Sequence, residues 1–154
     1  MAVRDYAGGM PKLVGMNHIA LEVDDVEEAL EFWRSIFGEL GLRGHGRQMA
    51  FIDMGDQFLA LSRGRTQPPD QARHFGLVVD DKEAVRERLR ELGIPASTGR
   101  SLDFRDPSGN LIQVVDYRDV QFTKTDDVLR ALGLEGLEKS ESAKAELRAK
   151  GVST

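Results

Sequence analysis

The sequence predicts an α+β fold: two tandem βαβββ modules forming a curved mixed sheet around a cleft, followed by a short helical C-terminal extension. Three observations carry this. The chain repeats itself once: shifted by 56 positions, His18, Leu21, Val23, Asp24, Asp25, Glu27, Glu31 and Arg34 fall on His74, Leu77, Val79, Asp80, Asp81, Glu83, Glu87 and Arg90. Those are eight identities in seventeen positions, where ordinary residue frequencies give roughly one. Each copy also opens with strand-like alternation and continues with a helical stripe. Beyond Asp119 the chain has no counterpart in its first half.

Each element has its own reason. Residues 1–14 form a loose arm, because Gly8-Gly9 and Pro11 break any period. Module one spans 15–66. Its first strand, 16–23, alternates Ile19, Leu21 and Val23 with His18, Ala20 and Glu22. Asp24 or Asp25 caps a helix to about Phe37, whose stripe is Val26, Leu30, Trp33 and Phe37. Three short strands near 41–45, 48–54 and 57–63 follow, separated by glycine turns.

The polar, proline-bearing stretch 64–72 links to module two, 72–119. There the strand His74–Val79 precedes a helix from Asp81 to about Leu92, stopped by Gly93 and Pro95. Strands near 102–105 and 110–117 flank the turn Asp106-Pro107-Ser108-Gly109-Asn110. Residues 96–101 hold little apolar signal, so the fourth strand of this module is faint. In the extension, 120–154, Thr125 and Ser140 cap two short helices ending near Gly133 and Gly151. Their leucines give it an apolar side that packs on its own domain or on a partner.

Composition removes several function classes. A net charge of −5, with no face rich in lysine and arginine, argues against nucleic acid as a partner. No cysteine is present, so thiolate chemistry is excluded and any metal must take N and O ligands. No stretch is apolar and long enough to cross a membrane, and the N-terminus lacks a signal-peptide core, which makes the cytoplasm the expected location.

Alternation sorts the strand faces. Ile19, Leu21 and Val23, like Phe75, Leu77 and Val79, belong under the helices. His18, Ala20 and Glu22, like His74, Gly76 and Val78, face the concave side. A second block repeats at an offset of 53, pairing Phe51 with Phe104, Asp53 with Asp106 and Ala60 with Gln113. If the modules pack about a pseudo-twofold axis, the two histidines approach a shared cavity. His45, between glycines, reads as an exposed turn residue, and the paired aspartates read as helix caps.

The segments NHIALEVDDVEEALEFW, RHFGLVVDD and FRDPSGNLIQVVDY resemble the vicinal oxygen chelate superfamily, which contains glyoxalase, bleomycin resistance and extradiol dioxygenase proteins. The resemblance covers residues 15–118. It implies a ligand at the start of each module's first strand and in the middle of each last strand. Position by position these are His18, Ala60, His74 and Gln113. Two are good ligands, Ala60 supplies none, and Gln113 replaces a carboxylate with a neutral amide, which weakens attraction for a cation.

The resemblance therefore implies a small-molecule-binding protein, with a divalent ion (Mn, Fe, Co, Ni or Zn) on His18, His74 and Gln113. The chemistry expected is isomerase- or lyase-like, on a small oxygenated metabolite. Glu22 is the one obvious nearby carboxylate to move a proton. Ala60 disfavours glyoxalase I activity. The absence of a tyrosine or second histidine before the last strand disfavours extradiol cleavage. Fosfomycin transfer is disfavoured because no basic and hydroxyl cluster is evident. The alternative is a metal-free protein that sequesters a ligand or antibiotic, with Phe51, Phe58, Phe104 and Tyr117 as walls where their parity points inward. The resemblance also implies a homodimer, in which His18 of one chain can face His74 of the other.

Overall fold

The computed structural model describes residues 11–154, so most of the expected N-terminal arm, residues 1–10, lies outside the described residues. The first module is β1 (His18–Val23), α1 (Val26–Phe37), β2 (Leu42–His45), β3 (Met49–Asp53) and β4 (Phe58–Arg63). It folds as a four-stranded sheet in the order β1-β4-β3-β2, with β1 parallel to β4 and the other pairs antiparallel. The second module is β5 (Phe75–Val79), α2 (Lys82–Glu91), β6 (Asp103–Arg105) and β7 (Leu111–Asp116), in the order β5-β7-β6. Its missing fourth strand survives as one bridge, Ala96 to Phe104. The sheets are mixed, as the duplication implies.

Both module helices begin where the sequence places them. Asp25 and Asp81, at equivalent positions, accept hydrogen bonds from the Glu28 and Ala84 amides, both at 3.0 Å. Each cap satisfies one orphan amide of the first turn. Leu21, Val23, Leu59, Leu61 and Ile52 are buried on one face of the first sheet, where Val26, Leu30 and Trp33 of α1 cover them. The second sheet buries Leu77, Val79, Ile112 and Val114 in the same way, with Val85 and Leu89 from α2.

One core serves both modules, and α1 joins them. Phe32 and Trp33 pack against Phe104 of β6, with ring centroids 6.0 and 6.4 Å apart. Arg88 of α2 donates from Nε to the Ser35 carbonyl at 2.7 Å. The linker is tied in by Arg65, whose side chain is only 4% exposed. It donates to Asn110 Oδ1 at 2.5 Å and to the Pro68 and Gln67 carbonyls at 2.7 and 3.0 Å. Asn110 Nδ2 in turn donates to the Glu22 carbonyl at 2.9 Å, so the turn of module two holds the end of β1 in module one.

The extension forms α3 (Asp126–Ala131) and α4 (Glu141–Ala149), capped by Thr125 and Ser140. It packs on its own domain. Val128 and Leu132 close over Gly55, where an added Cβ would lie 2.7 Å from Val128 Cγ1. Lys139 Nζ donates to the Tyr117 and Val120 carbonyls at 2.7 and 2.9 Å. Lys124 bonds the Met54 carbonyl at 2.8 Å and pairs with Asp56.

Candidate functional site

The strand register builds the concave faces. On the first sheet His18 lies opposite Phe58, Ala20 opposite Ala60 and Glu22 opposite Ser62, while Phe51 lies opposite Ala60 from the other side. On the second, Gly76 lies opposite Gln113, which also faces Asp103. Ala20 and Gly76 are 56 positions apart, so the register makes Ala60 and Gln113 true counterparts, as the second offset implies. The same offset fails one strand earlier. Asp103, not Phe104, occupies the place of Phe51, and the one-residue slip turns Phe104 into the core, where it is 2% exposed. Of the expected aromatic walls, Phe51 and Phe58 belong to the concave face and Tyr117 to the junction with the extension.

The histidines are held alike. His18 stacks on Phe58, centroids 4.6 Å apart and 9° from parallel. Its Nδ1 is 2.9 Å from Asn17 Oδ1. His74, just ahead of β5, has Nδ1 2.9 Å from the Ala72 carbonyl. Both acceptors are oxygens without a proton, so each Nδ1 is the donor and Nε2 is the ring nitrogen left without a partner. Both residues are exposed. His45 is exposed too, as expected of a loop-side residue, and pairs with Glu27 of α1.

Within one chain the two histidines do not meet. β1 and β5 are outer strands of separate sheets, with no ladder between them. They flank a crevice and run past one another in opposite senses. The end of β1 (Ala20, Glu22) lies by His74, and the start of β1 (Asn17, His18) lies by Val78 and Asp80. Two cavities result. One, of about 410 Å³, is polar and holds Glu22, Ser62, Arg65, Asp70, His74 and Asn110. The other, of about 450 Å³, is mostly apolar and holds His18 and Phe58 against the extension. Gln113 borders neither. Among the described residues no group of three His, Cys, Asp or Glu side chains is placed to hold a metal.

The polar cavity contains groups that sequence reasoning missed. Asp70 accepts from Arg73 at 2.6 Å and from the Leu111 amide at 3.1 Å. Burial lifts its pKa most, but these bonds and the charges of Arg73 and Arg65 outweigh that and hold it below its ordinary value. Behind the cavity wall, Asp106 accepts from the Asn110 amide and side chain at 2.8 Å each and from the Ser108 amide at 3.0 Å. Burial nonetheless pushes it above the ordinary carboxylate range. Glu22 is half-buried and its Oε2 has no hydrogen-bond partner. Nothing in a single sequence marks Arg65 or Asp70, which lie in a polar linker that reads as an ordinary loop.

The family model for the Glyoxalase/Bleomycin resistance protein/Dioxygenase superfamily matches residues 15–114. The chain belongs to that superfamily. Among curated relatives, "Glutathione transferase FosA" of Serratia marcescens is 28% identical over 114 residues, covering 66% of this chain and 80% of the relative. "Metallothiol transferase FosB" of Shouchella clausii is 28% identical over 115 residues, covering 65% and 78%. Among solved structures, a possible glyoxalase from Bacillus cereus superposes with a TM-score of 0.57 at 27% identity, covering 67% of this chain and 99% of that one. The fosfomycin resistance protein FosX from Listeria monocytogenes gives 0.58 at 19% identity, covering 68% and 94%, and shares the fold. The extension, residues 120–154, lies wholly outside the family match.

Proposed function

We propose that the protein binds a small, oxygen-bearing molecule at a divalent ion held between two copies of the chain: His18 of one, and His74 with Gln113 of the other. The observation that carries this reading is the matched pair of imidazoles. Each has Nδ1 tied to an oxygen and Nε2 turned free, the arrangement in which an outer hydrogen bond fixes a metal ligand's tautomer and orientation. The opposite senses of β1 and β5 keep them in separate cavities of one chain, so a common ion requires a second copy. Gln113 is the weak third ligand; its register partner on β5 is Gly76, where an added Cβ would meet nothing within 4 Å, so that side of it is open.

His18, His74 and Gln113 would hold the ion, which would supply Lewis-acid polarisation of a ligand oxygen. The chain's own contribution is Glu22. Its unpaired carboxylate oxygen shares the polar cavity with His74 and moves a proton on a bound substrate. Isomerase- or lyase-type chemistry suits that set. The names of the FosA and FosB relatives bring thiol transfer into view. The arginines of this cavity do not favour it, because Arg65 and Arg73 are committed to Asp70, Asn110 and linker carbonyls. A metal-free sequestering protein is the second reading, favoured by Ala60 where a fourth ligand would stand.

The test is the metal content of protein purified without chelator or nickel resin, then titration with Mn, Fe(II), Co, Ni and Zn. His18→Ala and His74→Ala each abolish binding if the reading holds. Mixing the two variants restores about a quarter of the sites, because random exchange makes about half the dimers mixed and one of the two shared sites in a mixed dimer keeps both histidines. No metal in the wild type, with no difference in either variant, overturns the metal reading and leaves the sequestering one.

A further inference from the structure

We infer that the C-terminal extension turns the His18 end of the crevice into a chamber for the apolar arm of an amphiphilic ligand, an alkyl or aryl chain with its oxygenated head at His18. The head's position rests on the function proposed above; the chamber does not. The extension, beyond the family match, supplies Phe122, Leu129, Leu132, Leu134 and Leu137 to one side of the 450 Å³ cavity. Met54, Phe58, Phe75 and Val78 face them from the two modules. Leu132, Leu134 and Leu137 are only half-buried, so these leucines border open space instead of closing on one another. A volume of this size is in the range of drug-sized ligand sites.

The polar groups around this chamber are largely spent inside the protein, which defines the chemistry left to a ligand. Gln57 Nε2 donates to the Met16 carbonyl at 2.8 Å. Lys124 is committed to Met54 and Asp56, and Tyr117 Oη to Thr123 Oγ1 and the Lys124 amide, both at 3.3 Å. Asp53 takes the Arg43 guanidinium at 2.6 Å, and Asn17 takes the His18 proton. His18 Nε2, Asn17 Nδ2, Gln57 Oε1 and the exposed Asp80 at the rim are what remains among the described lining groups, all of them from the modules and none from the leucine wall. A charged or hydroxyl-rich ligand would find no partners along the leucine wall. One with an apolar body and a single oxygenated end matches both regions.

The experiment uses the full chain, with N-phenyl-1-naphthylamine as an uncharged fluorescent probe and hexanoate, octanoate and decanoate as competitors. Expected are saturable one-to-one probe binding, displacement by decanoate, and competition that strengthens about fourfold per added methylene. Leu137→Trp and Val78→Phe, which fill the chamber from opposite walls, each weaken probe and decanoate binding by about tenfold or more, and Leu137→Trp, on the extension, leaves the metal titration unchanged. His18→Ala abolishes metal but keeps the probe. As a readout independent of variant folding, decanoate added to the wild type should slow hydrogen exchange in residues 126–137. Absence of saturable binding, a flat chain-length series, probe affinity unchanged in both filled variants, or no added protection of 126–137 overturns the inference. Loss of the metal reading with alkyl binding intact overturns only the proposed function.

Discussion

Asn110→Ala tests whether the two modules are held in register by the turn of module two. Asn110 is 3% exposed and serves three partners. Its Nδ2 donates to the Glu22 carbonyl at 2.9 Å and to Asp106 Oδ2 at 2.8 Å, and its Oδ1 accepts from Arg65 at 2.5 Å. Each buried hydrogen bond is worth about 1 kcal/mol net, those to charged groups about 1.5–3, and an orphaned buried group costs more than a lost bond between neutral groups. Alanine removes one neutral and two charge-assisted bonds. Arg65 keeps its carbonyl acceptors at Gln67 and Pro68, and Asp106 keeps two backbone amides, so the orphaning is partial. The sum is a loss of about 4–7 kcal/mol, with the partial orphaning favouring the lower end, measured as the shift in urea midpoint at constant slope. Because the Glu22 carbonyl loses its 2.9 Å bond and keeps only the long one from Arg65 at 3.4 Å, hydrogen exchange at the end of β1 should rise more than in α4. A loss below about 1 kcal/mol, or exchange rising uniformly over the chain, refutes the reasoning.

Three other outcomes follow from single contacts. Gln113→Glu adds a unit of negative charge to the proposed ligand set and should tighten divalent-ion binding by about tenfold or more, read by titration against a chelating dye; unchanged affinity would remove Gln113 from the set. Gly109 has φ +89° and an added Cβ there would lie 2.9 Å from Pro69 Cα. Gly109→Ala should therefore cost about 1–3 kcal/mol, seen as a lower thermal midpoint. Asp116, hydrogen-bonded by Arg118, is held down at about 2 despite some opposing burial. A depressed carboxylate pKa stabilises the fold above its unfolded value near 4 and loses that contribution as pH falls to about 2. With Arg118 half-exposed, screening trims the full linkage to about 1–2 kcal/mol. Wild type should thus exceed Asp116→Asn in stability at pH 6 by a margin that shrinks steadily towards pH 2; a constant margin contradicts it.

The fold was legible because its signals are local and occur twice. Asp25 and Asp81 cap their helices as the repeated aspartates imply, and Thr125 and Ser140 do so in the extension. Face assignment by alternation also holds: Leu21, Val23, Leu77 and Val79 are buried, while His18, Ala20, His74 and Gly76 are exposed. What failed is what a repeat offset is unable to carry. Phe51 and Phe104 match as letters, but strand β6 sits one residue out of step, and one residue exchanges the core for the concave face. Arg65 and Asp70 escaped because their roles exist only once the linker folds across the end of β1.

The relation between β1 and β5 explains why the duplicated site is not a duplicate in its chemistry. Strands that pass in opposite senses bring the start of each against the end of the other. Each histidine is therefore partnered by the residue four positions beyond the other histidine: His74 by Glu22, and His18 by Val78. Those two positions are counterparts, 56 apart in the sequence, and they hold a carboxylate in one copy and an apolar side chain in the other. A single substitution in one repeat thus separates a polar end, able to handle protons, from an apolar end. The extension has then built on the apolar end alone. A Val78→Glu variant would restore the symmetry. It should lose alkyl-probe binding at the His18 end, because an acidic group would stand among leucines, while metal binding should not weaken, because the added carboxylate stands beside His18. Retained probe affinity would mean that Val78 does not set the character of that end.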